Sequence, residues 1–139
     1  MTKQWIVNKM SIFKKEKTYG KQTDINALTQ SVYNHLRQEG WKAQQKAEGN
    51  RGIIQAQKGG ILRDIIAAEH ALIITFEQVP EGTKLTMGAG KWVQNLGVMA
   101  VETLLLSPLF IPLDVSEMLW TDHVEKGLMH EIDSIVDSV

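Results

Sequence analysis

The chain has 139 residues, 43% of them apolar and 22% charged, with a formal net charge of −1, which is the size and make-up of one folded domain. It contains no cysteine, so disulfides, thiolate nucleophiles and Cys-ligated zinc or iron–sulfur centres are excluded.

The N-terminal MTKQWIVNKMSIFKKEK lacks the long apolar core and small-residue cleavage site of a secretory leader, and a cytoplasmic location is the expectation. Residues 4–13 (QWIVNKMSIF) read as a strand, dense in β-branched and aromatic side chains. KKEKTYGK (14–21) reads as a solvated loop. Its lysines Lys14, Lys15, Lys17 and Lys21 surround one tyrosine, Tyr19, too little arginine and aromatic surface for a nucleic-acid interface. A helix follows over 24–39, with Ile25, Leu28, Val32 and Leu36 on one face. Thr23 or Asp24 can cap its start and Gly40 can end it.

Trp41, Ala43, Gln45 and Ala47 alternate with Lys42, Gln44 and Lys46, which predicts a strand with one dry and one wet face. Gly49-Asn50 fits a tight hairpin returning through 51–58. GGILRDIIAA (59–68) reads as a short helix or an irregular apolar crossover. HALIITFEQV (70–79) is apolar on both faces and predicts a central strand. Pro80-Glu81-Gly82 turns the chain, and 83–89 returns. The rest predicts two helices, one over 92–106 and one from Asp114 to the end. Asp114 and Glu117 form a capping-box-like pair at the start of the second. Val115, Leu119, Val124, Leu128, Ile132, Ile135 and Val139 form its stripe.

Hairpin-linked strands imply an antiparallel sheet of four to five strands, with the N-terminal helix and the C-terminal helices over one face. The fold class is therefore α+β in a single domain spanning 1–139. Its element order is comparable to that of helix-grip folds, in which a curved sheet wraps a long C-terminal helix; that comparison carries no function.

Residues 96–113, LGVMAVETLLLSPLFIPL, are too apolar for a surface helix, and Pro108 and Pro112 break any helix before it spans a bilayer. Residues 59–68 are similar, with Lys58 beside them and Arg63 within them, as in a wedge that enters a membrane surface or a partner groove. The expectation is a non-enzymatic module for an apolar small molecule, a membrane surface or a protein partner. Its contacts would be Ile61, Leu62, Ile65, Ile66, Trp92, Leu105 and Phe110.

GAGKW (88–92) offers a second candidate. Gly88 and Gly90 at a strand-to-helix hinge would let backbone amides converge on an anion beside Lys91. The pattern is no Walker loop, because Leu85 stands where that motif needs glycine and Trp92 where it needs Ser or Thr. KGGILRDIIAAEHALIITFE followed by GAGKWVQN resembles a family of small uncharacterised prokaryotic proteins with a Gly-Gly-x-Leu-Arg turn, an apolar strand and a Gly-x-Gly-Lys-Trp step. The resemblance covers roughly residues 40–139, about one small domain. It implies a shared fold and, with no activity assigned to the family, transfers no catalytic residue.

No metal site is expected, since His123 and His130 lie two helical turns, roughly 10 Å, apart. His35, His70, His123 and His130 read as surface or helix-dipole residues. Glu102, inside MAVETLLL, is either an enclosed acid or the wet edge of an amphipathic helix. The competing enzyme reading uses Glu102 or His70 as acid/base in an enclosed cavity, with the GAGK backbone holding an anionic substrate. A last reading comes from charge: residues 1–63 hold 12 Lys/Arg against 4 Asp/Glu, whereas 64–139 hold 3 against 12. Basic strands packed beside acidic helices would produce this division, and so would head-to-tail association into a homo-oligomer.

Overall fold

The structure is a computed structural model that describes residues 14–57, 70–106 and 122–139. It holds strands β1 (Lys14–Tyr19), β2 (Lys42–Glu48), β3 (Arg51–Gln57), β4 (His70–Val79) and β5 (Gly82–Lys91), with helices α1 (Ile25–Gln38), α2 (Val101–Leu106) and α3 (Asp122–Ser138). The strands form one antiparallel sheet in the order β1-β5-β4-β3-β2. None of the described helices is long and apolar enough to cross a membrane.

The segment expected to be a basic loop is β1, which pairs with β5 from Lys14 opposite Gly88 to Tyr19 opposite Thr83. A strand crowded with lysines has no core face to announce it, but charge suits a sheet edge because it deters further pairing. The strand expected over 4–13 lies outside the described residues. Helix α1 starts as read: the Asp24 carboxylate accepts the Ala27 N–H at 3.2 Å, and Gly40 follows at φ 94°. The β2–β3 hairpin and central β4 also form where expected.

β4 shows why its sequence is apolar throughout. Leu72, Ile74 and Phe76 face one core, together with Ile54 of β3 and Leu85 and Met87 of β5. α1 covers this side with Leu28, Val32 and Leu36, and α3 covers it with Leu128, Ile132 and Val136. α1 lies close against β3 at Gly52, where a Cβ would meet the Thr29 side chain. Ala71 and Ile73 point the other way, into a second core with Ile53, Trp92, Leu96, Val101 and Leu104.

That second core corrects the helix expected over 92–106. Residues 92–95 are not helical, Leu96–Val98 make one 3-10 turn, and α2 begins only at Val101. The segment is a strap held by side chains of the sheet. Gln55, 1% exposed, accepts the Val93 N–H at 2.9 Å and donates its amide to the Val93 carbonyl. Lys46 donates to the carbonyls of Gly97 and Met99. Glu48 accepts the Val101 N–H at 2.8 Å, satisfying one of the orphan amides that open α2. Residues read as the wet face of β2 thus grip the strap.

α3 is fastened to β1 by polar contacts. Asp133 Oδ1 accepts the Tyr19 hydroxyl at 2.6 Å and the Lys17 ammonium at 2.9 Å. Lys21 donates to the carbonyls of Val136 and Asp137, at the negative end of the helix dipole. Burial and the adjacent Asp133 charge push the Tyr19 phenol well above its ordinary value. Burial by itself would raise the Asp133 carboxyl, but its bonds to Tyr19 and Lys17 outweigh that and hold it below the usual carboxylate range. The depressed folded value sets the sign: this contact stabilises the fold fully above the unfolded value of about 3.9 and is lost as pH falls through the lower, folded one. Asp133→Asn will therefore lower the urea midpoint at pH 7 and leave less acid sensitivity below pH ~4 than the parent shows. The loss at pH 7 will be under about 1 kcal/mol, because both side chains keep a third or more of their surface in water.

Candidate functional site

The register brings residues distant in sequence to one end of the sheet. Lys42 opens β2 opposite Gln57, the last residue of β3. His70 opens β4 opposite Lys91, the last residue of β5. Strand β3 ends at Gln57 and β4 begins at His70, so these two residues share this end of the sheet with Lys42 and Lys91. Lys14, at the start of β1, lies opposite Gly88 a short step further in. Lys42 and Lys91 are exposed. The Lys42 ammonium lies 4.7 Å from the centre of the Trp92 ring, a cation–π contact that positions the charge over the start of the strap.

Of the seven apolar contact residues expected, only two can be placed. Trp92 is 8% exposed and belongs to the second core, so it is a packing residue rather than an open contact. Leu105 is half-buried against the same core. Burial of Leu96, Val101 and Leu104 likewise shows that the first part of the 96–113 stretch is covered by its own sheet. Ile61, Leu62, Ile65, Ile66 and Phe110 lie outside the described residues.

The hinge expected at GAGKW is corrected as well. β5 runs on to Lys91, with Gly88 opposite both Ile73 and Lys14 and Gly90 opposite Ala71. Neither glycine is among the positive-φ glycines, and no helix N-terminus follows Lys91. Gly88 and Gly90 are ladder residues two apart, so their amides point to the same side of the strand, into the pairing with a neighbouring strand instead of toward an anion.

The other end of the sheet is acidic. A cleft of about 430 Å³ lies between the β2–β3 turn and the first turn of α2, lined by Glu48, Arg51, Glu77, Gln78, Val101 and Glu102 among others. Its charges already serve the fold: Arg51 Nε bonds Glu77 Oε2 at 3.1 Å, and Glu48 caps α2. Glu102 is exposed on α2, the wet-edge alternative, so it is not an enclosed acid. Among the described residues no three His, Asp or Glu side chains are placed to hold a metal ion. His35 lies 3.8 Å from Glu131 Oε2 and His130 is exposed.

Reading along the chain misses this polarity, because single strands carry both ends of it; β2 alone runs from Lys42 to Glu48. The signal that was available is the placement of Lys42, Lys58 and Lys91 next to strand boundaries. Compared with known proteins, the chain matches no family model, no curated sequence and no solved structure.

Proposed function

We propose that this domain is a non-enzymatic module, cytoplasmic and peripheral to a membrane, that binds an anionic lipid surface through the end of the sheet where β3 stops and β4 starts. The observation that carries this reading is the register that puts Lys42, Lys91 and the two residues flanking 58–69, Gln57 and His70, at one end of the sheet. Lys58 and Arg63 add two further cations from within or beside the run. Ile61, Leu62, Ile65 and Ile66 supply the apolar part, each contributing about 1.5–3 kcal/mol if fully buried on contact. Each nearby lysine contributes about 1 kcal/mol at an anionic surface, an attraction that salt screens.

Co-sedimentation with vesicles of phosphatidylcholine, with and without phosphatidylglycerol, tests the reading. The protein will pellet with the mixed vesicles and bind the neutral ones more weakly. Lys42→Gln with Lys91→Gln will weaken binding to the mixed vesicles roughly 30-fold at low salt, the equivalent of about 2 kcal/mol. Leu62→Ser with Ile65→Ser will abolish it. A parent protein that stays in the supernatant with both vesicle types refutes the reading.

A further inference from the structure

The geometry points to a second use of the sheet: the edge that β2 presents among the described strands is a docking strand for a second copy of this chain. Among the described strands β2 and β1 are the two edges. The Gln78 N–H bonds the Asn50 carbonyl, which turns the even-numbered residues of β3 toward β4 and the odd-numbered ones toward β2. With Lys42 opposite Gln57 and Glu48 opposite Arg51, the even residues of β2 bond to β3. Ala43, Gln45 and Ala47 therefore direct their N–H and C=O groups away from the sheet.

An antiparallel pairing of two β2 strands about Gln45 satisfies that edge. It sets Gln45 opposite Gln45 of the second copy and Ala43 opposite Ala47, each an outward-bonding residue facing another. It also sets Lys42 opposite Glu48 twice, once on each side of the two-fold axis. The neighbouring registers that keep the ladder fail on charge. Centring on Gln44 opposes Lys42 to Lys46, and centring on Lys46 opposes that residue to itself; like charges directly across a pair are destabilising. Charge thus favours the Gln45-centred isologous contact over the registers on either side of it.

Two further features favour this edge. Lys46 holds the carbonyls of Gly97 and Met99, so the residue between them, Val98, stands beside β2. At 82% exposure Val98 is the large apolar side chain left open among the described residues. The opposite edge, β1, carries Lys14, Lys15, Glu16 and Lys17, a crowd of cations that protects it against self-pairing. This contact differs from a head-to-tail union of basic and acidic halves, and it does not depend on the lipid reading.

Sedimentation equilibrium in vesicle-free buffer tests the proposal, with far-UV circular dichroism to confirm folding. The parent will sediment at twice its 15.6 kDa chain mass. Lys42→Glu, which faces Glu48 of the second copy, will raise the dimer Kd by about tenfold or more from the loss of two pairs and the gain of two repulsions. Lys42→Gln, which removes the pairs without adding a repulsion, will raise it by less. Gln45→Pro removes an outward donor and spares the bonds to β3, so it will give a monomer. If Gln45→Pro fails to fold, the Lys42→Glu variant alone decides. A parent that is monomeric at all concentrations overturns the proposal, and so does a Lys42→Glu variant that dimerises as tightly as the parent.

Discussion

Replacing Gln55 with leucine will release the strap from the sheet and destabilise the protein by about 2–5 kcal/mol. Gln55 is buried between Ile54 and Ala56, and its amide serves as one more strand for Val93, accepting from the N–H and donating to the carbonyl. Leucine fills a similar volume but leaves both backbone groups of Val93 without that partner, each at about 1–3 kcal/mol. Urea unfolding will show the loss. A red shift of tryptophan emission before global unfolding, absent when Trp92 is replaced by Phe, will show that the strap opens first, since Trp92 is buried in the core on this face. Gln55→Glu separates the two bonds: it keeps the acceptor for the Val93 N–H but sets a carboxylate against the carbonyl, so its deficit will shrink on acidification as the carboxyl gains a proton. Equal stability of the leucine variant and the parent would remove Gln55 as the clasp.

Gly82→Ala will destabilise by a comparable amount, about 2–5 kcal/mol, for a different reason. Gly82 sits at φ 145°, where a side chain is strained by about 1–3 kcal/mol. An added Cβ would also meet the backbone of Tyr19 and Lys21, and overpacking of this sort costs typically 1–3 kcal/mol more. The colliding atoms are main chain, so no rotamer change relieves them. The damage will concentrate at the β1–β5 pairing, where Tyr19 lies opposite Thr83, and at the neighbouring Thr83 hydroxyl, which bonds the Lys21 carbonyl at 2.8 Å. Hydrogen exchange will report loss of protection in β1 before β3 or β4. Gly20→Ala, where a Cβ meets nothing, is the control and will change stability by less than about 1 kcal/mol.

These effects explain how far the chain could be read. Its helices and hairpins are legible because their cause is local. Asp24 caps α1 within one turn, the i, i+3, i+7, i+11 spacing of Ile25, Leu28, Val32 and Leu36 makes a face whatever lies opposite, and Gly49-Asn50 closes its own hairpin. β4 is legible because burial on both faces demands an unbroken apolar run. β1 is not, because an edge strand is specified by its partner β5 and needs no apolar face of its own. The strap reads as a helix from its leucines, while its backbone bonds come from Lys46, Glu48 and Gln55, dozens of residues earlier. One polar residue inside the apolar run of β3, Gln55, was the only local trace of that arrangement.

The amino-acid pattern by itself determined an α+β body with an antiparallel sheet, a capped first helix and a striped last one, because propensity, capping and periodicity act over a few residues. Tertiary structure alone decided which strands neighbour each other, that a second core covers the far face, and that lysines meet at one end of the sheet with carboxylates at the other. Register does this: pairing residues 42 with 57 and 70 with 91 is a choice among long-range contacts, made by the fit of two cores and invisible in any short window of sequence.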